Sequence, residues 1–106
     1  MALDSYDIIV ADPALADIQA AFDYMKQDSP QGAATAIDRI LEAIDNLRTL
    51  PGRFRTTGRS RRRGKPIHVR VSAPFLIYYR IDHDSRLVTV TEVRHGARRQ
   101  GHPRSN

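Results

Sequence analysis

The sequence predicts an α+β domain in which one strand and a helical hairpin precede three antiparallel strands. Apolar residues recur at spacings of three and four in the first half, which is typical of amphipathic helices. In the second half they alternate with polar residues, as in half-buried strands. We therefore expect the order β-α-α-β-β-β, with the hairpin covering one face of an antiparallel sheet. With 106 residues, we expect a single domain over residues 1–98 and a flexible tail over residues 99–106.

The first half divides into a strand and two helices. The apolar run Tyr6–Ala11 predicts the strand, and Asp12 before Pro13 predicts a helix start with Asp12 as its N-cap. Ser29 before Pro30 predicts the second start, and Pro51-Gly52 the end of that helix. Because the link between the helices is short, they should lie antiparallel. The expected buried stripes are Leu15, Ile18, Phe22 and Met25 on the first helix, and Ile37, Ile40, Leu41, Ile44, Leu47 and Leu50 on the second.

The second half is predicted to form a basic loop and three strands. Residues 53–66 contain seven Lys or Arg and no acid, so we expect a mobile loop, with at most a short strand near Phe54. The strands should cover Ile67–Ser72, Phe75–Asp82 and Leu87–Arg94, with a turn between the last two. Val93 breaks the alternation of the last strand, which indicates a bulge near Thr91–Glu92.

Charge is divided unequally between the halves. Residues 1–52 hold nine acids and three bases, whereas residues 53–106 hold three acids and fourteen bases. A cationic half attracts acidic partners, either nucleic acid or an acidic protein segment. The sign of the charge does not choose between them.

Several classes of protein and site are disfavoured by composition. The chain has no cysteine, and hence no disulfide, thiolate metal site or cysteine nucleophile. No glycine-rich phosphate loop is present, and the four histidines lack the spacing of metal ligands, so we expect no cofactor and no metal. The N-terminus does not look like a signal peptide, and no stretch approaches the roughly 18 apolar residues of a membrane span. We expect a cytoplasmic protein without a membrane contact.

Three groups of residues are candidates for a binding or catalytic role. The run Arg59–Lys65 could hold phosphates or an acidic partner, or could be ordinary solvated charge. Tyr79 is predicted in the core, whereas Tyr78 and Arg80 should lie on the other, partly exposed face. There Arg80 could stack on a base or bind a carboxylate, or could simply extend its charged end into solvent from a half-covered sheet face. His95 ends a strand among charged residues and could be a general acid, although a strand-end histidine is more often hydrogen-bonded to the backbone.

Taken in order, several stretches resemble the ParE/RelE superfamily of type II toxin–antitoxin toxins over about residues 6–98. The most specific are residues 77–82, Ile-Tyr-Tyr-Arg-Ile-Asp, and residues 93–98, Val-Arg-His-Gly-Ala-Arg. The early strand, the two helix starts and the Pro51-Gly52-Arg53 ending agree with them. This pattern is similar to the ParE, or plasmid-stabilisation, branch.

The resemblance implies a toxin that inhibits DNA gyrase and is neutralised by a ParD-like antitoxin with an acidic C-terminal segment. The alternative is a RelE-like, ribosome-dependent mRNA endonuclease, with Arg80, His95 and Arg98 around the scissile phosphate. The ribonuclease branch usually has an arginine where this chain has Phe75, and Arg98 matches a second arginine of that branch. A third reading is a nucleic-acid-binding module or an inactive toxin. The residues expected to contact partners are Arg61, Arg62, Arg63, Tyr78, Arg80, His95, Arg98 and Arg99.

Overall fold

The computed structural model describes residues 5–62 and 65–96, without the side chains of residues 58–62. Arg63 and the tail from Ala97 onward, with Arg98 and Arg99, lie outside the described residues. The elements are β1 (Asp7–Val10), α1 (Asp12–Met25), α2 (Pro30–Asp45), β2 (Thr56–Arg62), β3 (Lys65–Ser72), β4 (Phe75–Asp82) and β5 (Leu87–His95). Two single 3₁₀ turns, Asn46–Arg48 and Pro51–Arg53, connect α2 to β2.

The strands form one five-stranded sheet in the order β1-β5-β4-β3-β2. Strands β2 to β5 are antiparallel, and β1 pairs with β5 in parallel. The helical hairpin lies on one face of the sheet, which confirms the α+β prediction. The sheet has five strands where four were predicted, because residues Thr56–Arg62 form β2. It is mixed, because β1 pairs with β5 in parallel while the other neighbours are antiparallel.

The helix starts differ from each other in their capping. At α2, the Ser29 hydroxyl accepts a hydrogen bond of 2.9 Å from the Gly32 amide, as the sequence predicted. At α1, the prediction was wrong by one residue, because Ala11 is the N-cap and has no side-chain cap bond. The Ala11 amide still bonds to the Val90 carbonyl oxygen of the sheet, while the Ala11 carbonyl accepts the first helical bond from Leu15. Asp12 therefore lies in the first turn, where its charge suits the helix dipole.

Both helices present faces that are rotated from the predicted stripes. On α1, Ala14 is buried and Leu15 is 52% exposed, because a small residue allows the helix close to β5. On α2, Leu41 is 49% exposed, while Ile40 and Ile44 lie in the core. The helix ends at Asp45, and Leu50 has a left-handed backbone with φ 48° and is 55% exposed. Pro51 disfavours a helical conformation for the residue before it, so the stripe does not continue to Leu50.

The main core lies between the hairpin and the sheet. Tyr79 is fully buried there, as predicted, and its hydroxyl donates a 2.5 Å hydrogen bond to the Pro51 carbonyl oxygen. The predicted bulge is confirmed on β5: Tyr78 pairs with Glu92 and Tyr79 with Val90, so Thr91 is the extra residue. None of the helices in the described ranges has the length and apolar character needed to cross a membrane.

Candidate partner-binding surface

The face of the sheet opposite the helices contains two of the predicted binding residues. Side chains alternate between the faces of a strand. On β4, Ile77 and Tyr79 belong to the core beneath the helices, so Tyr78 and Arg80 lie on the opposite face. We refer to this surface, carried by the alternate residues of β3, β4 and β5, as the open face.

Tyr78 is much less accessible than predicted. Its exposed fraction is 7%, because it packs with Ile67, Val69 and Leu76 in a second, smaller apolar cluster on the open face. Val69 is its direct partner on β3 and Glu92 its partner on β5. The expectation of a partly exposed Tyr78 was therefore wrong, since cross-strand neighbours cover the ring, while α1 and α2 lie on the other face.

Arg80 is partly buried and lies opposite Thr89. The ion pairs found in the described part of the chain join Lys26 to Asp23, Arg48 to Asp45 and Arg94 to Glu92. Arg80 takes part in none of these three. Its guanidinium thus has no carboxylate as an ion-pair partner among the described side chains.

The arginine-rich segment is a strand and not the predicted loop. Residues Thr56–Arg62 form β2, in which Arg61 pairs with Pro66 and Arg62 with Lys65. The register shifts between Thr57 and Arg61, which marks an irregularity in the middle of the strand. The backbone of this segment pairs with β3, and the charge-rich composition of the segment does not indicate that a strand is available for pairing. The strand is at the edge of the sheet, which places Arg61 and Arg62 at its border.

His95 lies at the other end of the sheet, beside a cleft of about 280 Å³. Asp17 and Ala21 of α1, Phe75 of β4 and residues 92–95 of β5 line this cleft. The His95 ring packs edge-on against Phe75, with 5.3 Å between the ring centroids. The lining of the cleft combines apolar side chains, such as Phe75 and Val93, with the charged side chains of Asp17, Glu92 and Arg94.

Both carboxylates of the cleft already have partners. Asp17 accepts a 2.9 Å hydrogen bond from the Val93 amide. Glu92 accepts a 2.6 Å hydrogen bond from Arg94 Nε, and this hydrogen bond raises the pKa of the Arg94 guanidinium above its usual value. Asp17 therefore holds β5 to α1, and Glu92 neutralises Arg94.

Sequence reasoning missed a third group, which consists of Arg53, Phe54 and Arg70. The guanidinium carbons of Arg53 and Arg70 lie 4.8 Å and 4.6 Å from the centroid of the Phe54 ring. Arg70 alternates with Val69 and Val71 on β3, and this places it on the side of the hairpin. The strand pattern of β3 could have indicated this orientation, but nothing local indicated that Phe54 would lie beneath it.

A comparison of the sequence with known protein families agrees with this arrangement of hairpin and sheet. The model of the family described as the ParE toxin of the type II toxin–antitoxin system parDE matches residues 8–100. The chain belongs to this family. This ParE-family protein is thus a toxin of a type II toxin–antitoxin system, as the sequence resemblance implied.

Solved structures agree with the family at the level of the fold. The chromosomal ParDE system of P. aeruginosa matches with a TM-score of 0.68 and 18% identity, over 87% of this chain and 97% of that chain. The archaeal RelE-RelB complex of Pyrococcus horikoshii OT3 gives 0.62 and 12%, over 89% and 98%. The RelBE2 toxin-antitoxin complex of Mycobacterium tuberculosis gives 0.55 and 21%, over 88% and 93%. No curated protein matches the sequence.

Of the three predicted nuclease residues of this ParE-family toxin, Arg80 and His95 lie apart, and Arg98 is outside the described residues. His95 pairs with Phe75, and Arg80 is five residues further along β4, a separation of about 16 Å. Arg80 also points to the open face, whereas Phe75, and with it the His95 ring, belongs to the face beneath the helices. In the described part of the chain, no group of three or more histidine, aspartate or glutamate side chains could hold a metal ion.

Proposed function

We propose that this toxin inhibits DNA gyrase and that a ParD-like antitoxin neutralises it by binding its basic half. The observation that carries the proposal is the match to the parDE toxin family over residues 8–100. We also propose that Arg80, His95, Arg98 and Arg99 contact these partners, with Arg61, Arg62, Arg63 and Tyr78 as further contacts.

The environment of Phe75 supports a protein target over a messenger RNA target. The ribonuclease branch usually has an arginine at this position, where its charge would hold a phosphate. Phe75 is 4% exposed and packs into the main core and against His95. A buried phenyl ring supplies neither charge nor hydrogen bond to a phosphate.

The surroundings of His95 support the same conclusion. A general acid or base needs a titratable partner and a cation next to the reacting group. The nearby carboxylates of Asp17 and Glu92 are committed to Val93 and Arg94, and Arg80 is far along the strand. The cleft thus fits a side chain of a protein partner better than a scissile phosphate.

The antitoxin part of the proposal is supported by the solved structures of similar fold and by charge. Those structures include a ParDE system and two toxin-antitoxin complexes. Residues 53–106 of this chain carry fourteen bases against three acids, which favours an acidic partner. A disordered acidic segment would fold onto such a surface as it binds.

A supercoiling assay tests the target. Purified toxin is added to gyrase and relaxed plasmid, and we expect supercoiling to fall as the toxin concentration rises. Arg48→Gln toxin should inhibit as well as the wild type, because Arg48 is paired with Asp45 and is not among the proposed contacts. Growth arrest on expression together with unaffected supercoiling would show that gyrase is not the target.

Two further measurements identify the alternatives. New 5′ ends in a primer-extension map of transcripts after induction would indicate a messenger RNA endonuclease. Binding to duplex DNA that weakens steeply with salt, without growth arrest, would indicate a nucleic-acid-binding module. For the antitoxin, co-expression with an acidic neighbouring gene product should restore growth and yield a complex that co-purifies with the toxin.

A further inference from the structure

Arg53 and Arg70 form a compact cationic group over one aromatic ring. Their guanidinium carbons lie 4.8 Å and 4.6 Å from the centroid of Phe54, within the range of a cation–π contact. The Phe54 ring packs against the main core, and the Phe54 carbonyl oxygen lies 2.9 Å from His68 Nδ1. The Phe54 ring is therefore held in place by its packing, and its contacts with both guanidinium groups position them in the absence of a ligand.

The hydrogen-bonding capacity of this group is largely unused. Arg53 donates one hydrogen bond, of 3.0 Å, from Nη1 to the Thr49 carbonyl oxygen. The Nε atom of Arg70 is buried and has no hydrogen-bond partner among the described residues. A buried donor without a partner is destabilising, and a charged donor more so than a neutral one. This cost is removed if an acceptor from another molecule enters the site.

No acid of this segment can supply the acceptor. Residues 46–81 contain no aspartate or glutamate, so neither the chain around Arg53 nor that around Arg70 provides a carboxylate. The three ion pairs found among the described residues all lie elsewhere. The positive charge of the pair is thus not neutralised locally.

The positive charge of Arg53 and Arg70 also affects the pKa of Tyr79, which lies in the core. Burial raises the pKa of the Tyr79 hydroxyl to about 12, and the charges of Arg53 and Arg70 oppose that rise. Both guanidinium groups therefore act on the same point at the base of the site. Their fields add, which favours an anionic ligand there.

We propose that Arg53 and Arg70, held over the ring of Phe54, bind a carboxylate side chain of an acidic peptide segment, and that this segment belongs to the antitoxin. The inference rests on the proposed function for the identity of the partner. A carboxylate matches the planar donor fork of a guanidinium and is small enough to reach a recessed Nε atom. A phosphate of a nucleic-acid backbone is attached to a bulkier chain and approaches such an atom less closely.

An apolar neighbour also favours a peptide. Leu50 is exposed on the same 3₁₀ turn, where its carbonyl oxygen accepts a 3.1 Å hydrogen bond from the Arg53 amide. An exposed leucine beside a pair of cations suits a segment that carries both acidic and apolar side chains. Nucleic-acid backbones offer no apolar group to cover it.

Binding of two probes to the full-length toxin tests the site. The probes are an oligoglutamate peptide and an oligothymidylate of matched charge, and affinities are measured by titration calorimetry. The variants are Arg53→Gln and Arg70→Gln, with Arg48→Gln as the matched control for the loss of one charge. We expect each of the first two to weaken oligoglutamate binding about tenfold, as for the loss of a charged hydrogen bond. The control should change it less than about twofold.

Three results would decide against the carboxylate site. An equal loss in all three variants, or no binding of oligoglutamate by the wild type, would overturn the proposal. Tighter binding of oligothymidylate with the same dependence on Arg53 and Arg70 would overturn it in favour of nucleic acid. Arg53 is exposed, so Arg53→Gln remains informative if Arg70→Gln does not fold.

Gyrase inhibition by the same variants distinguishes this proposal from the previous one. If wild-type toxin leaves supercoiling unaffected but oligoglutamate binding depends on both arginines, the target is wrong and the carboxylate site stands. If inhibition is intact but the co-purifying antitoxin binds Arg53→Gln toxin as tightly as wild type, the carboxylate site is wrong and the target stands.

Discussion

Asp17 and Val93 join the first helix to the last strand. The Asp17 Oδ2 atom accepts a hydrogen bond of 2.9 Å from the Val93 amide, which follows the bulge at Thr91. β1 pairs with β5 only as far as Val90, so it offers no acceptor beside Val93, and a partly buried amide needs one. Asp17 supplies this acceptor, which explains why a carboxylate lies on the sheet side of α1.

Asp17→Ala should therefore destabilise the protein. It leaves the Val93 amide without an acceptor, and we expect the free energy of unfolding to fall by about 1–3 kcal/mol in urea titrations. Asp23→Ala, on the same helix, removes an exposed carboxylate paired with Lys26 and should cost less than about 1 kcal/mol. Equal losses of unfolding free energy in the two variants would mean that the hydrogen bond from the Val93 amide to Asp17 stabilises the protein no more than an exposed ion pair does.

The two branched side chains Ile44 and Leu41 of α2 should respond very differently to truncation. Ile44 is in the main core, so Ile44→Ala should lower the free energy of unfolding by about 2–5 kcal/mol through a cavity. Leu41 is exposed, so Leu41→Ala should stay within about 1 kcal/mol of the wild type. Thermal and urea unfolding measure both. A tolerated Ile44→Ala variant would contradict the packing of α2 on the sheet.

Tyr79 should make stability fall in strongly alkaline solution. Its pKa is about 12 in the folded protein and about 10 in an unfolded chain. Between these values the unfolded state loses the phenol proton while the folded state keeps it. The contribution is therefore fully present below pH 10 and is lost as the pH rises through 12, on the order of 3 kcal/mol.

Comparison with Tyr79→Phe isolates this effect from other alkaline groups. Near neutral pH the variant should be less stable by about 1 kcal/mol or more, because the Pro51 carbonyl oxygen loses its donor. From about pH 10 to 12 the wild type should lose stability faster than the variant, so the difference narrows. Parallel pH profiles for the two proteins would show that Tyr79 does not titrate in this way.

Arg98 is predicted to act in toxicity and not in stability. Arg98→Ala should reduce growth arrest on induction and leave the free energy of unfolding within about 0.5 kcal/mol of the wild type. Arg104→Ala is the control, because Arg104 lies beyond residues 8–100 matched by the family and should leave growth arrest unchanged. A large drop in stability for Arg98→Ala would instead mean a structural role.

Patterns that depend on neighbours along the chain were readable from the sequence. The spacing of Ile40, Ile44 and Leu47 predicted α2, and Ser29 before Pro30 predicted its cap. Alternation on β4 predicted the burial of Tyr79, and the parity of Val93 predicted the bulge. Each of these signals depends on helix or strand periodicity within a few residues, so no knowledge of the fold was needed.

Features that depend on distant partners became visible only in three dimensions. The arginine-rich segment became β2 because β3 pairs with it, and Tyr78 is buried because Val69 and its other cross-strand neighbours cover it. The site of Arg53, Phe54 and Arg70 joins a 3₁₀ turn to a strand. Cross-strand pairing and side-chain stacking depend on which segments meet in space, and local propensity carries little of that information. The amino-acid sequence alone was enough for the toxin family and the division of charge, whereas the fold determines which of the described cations remain without an acidic partner.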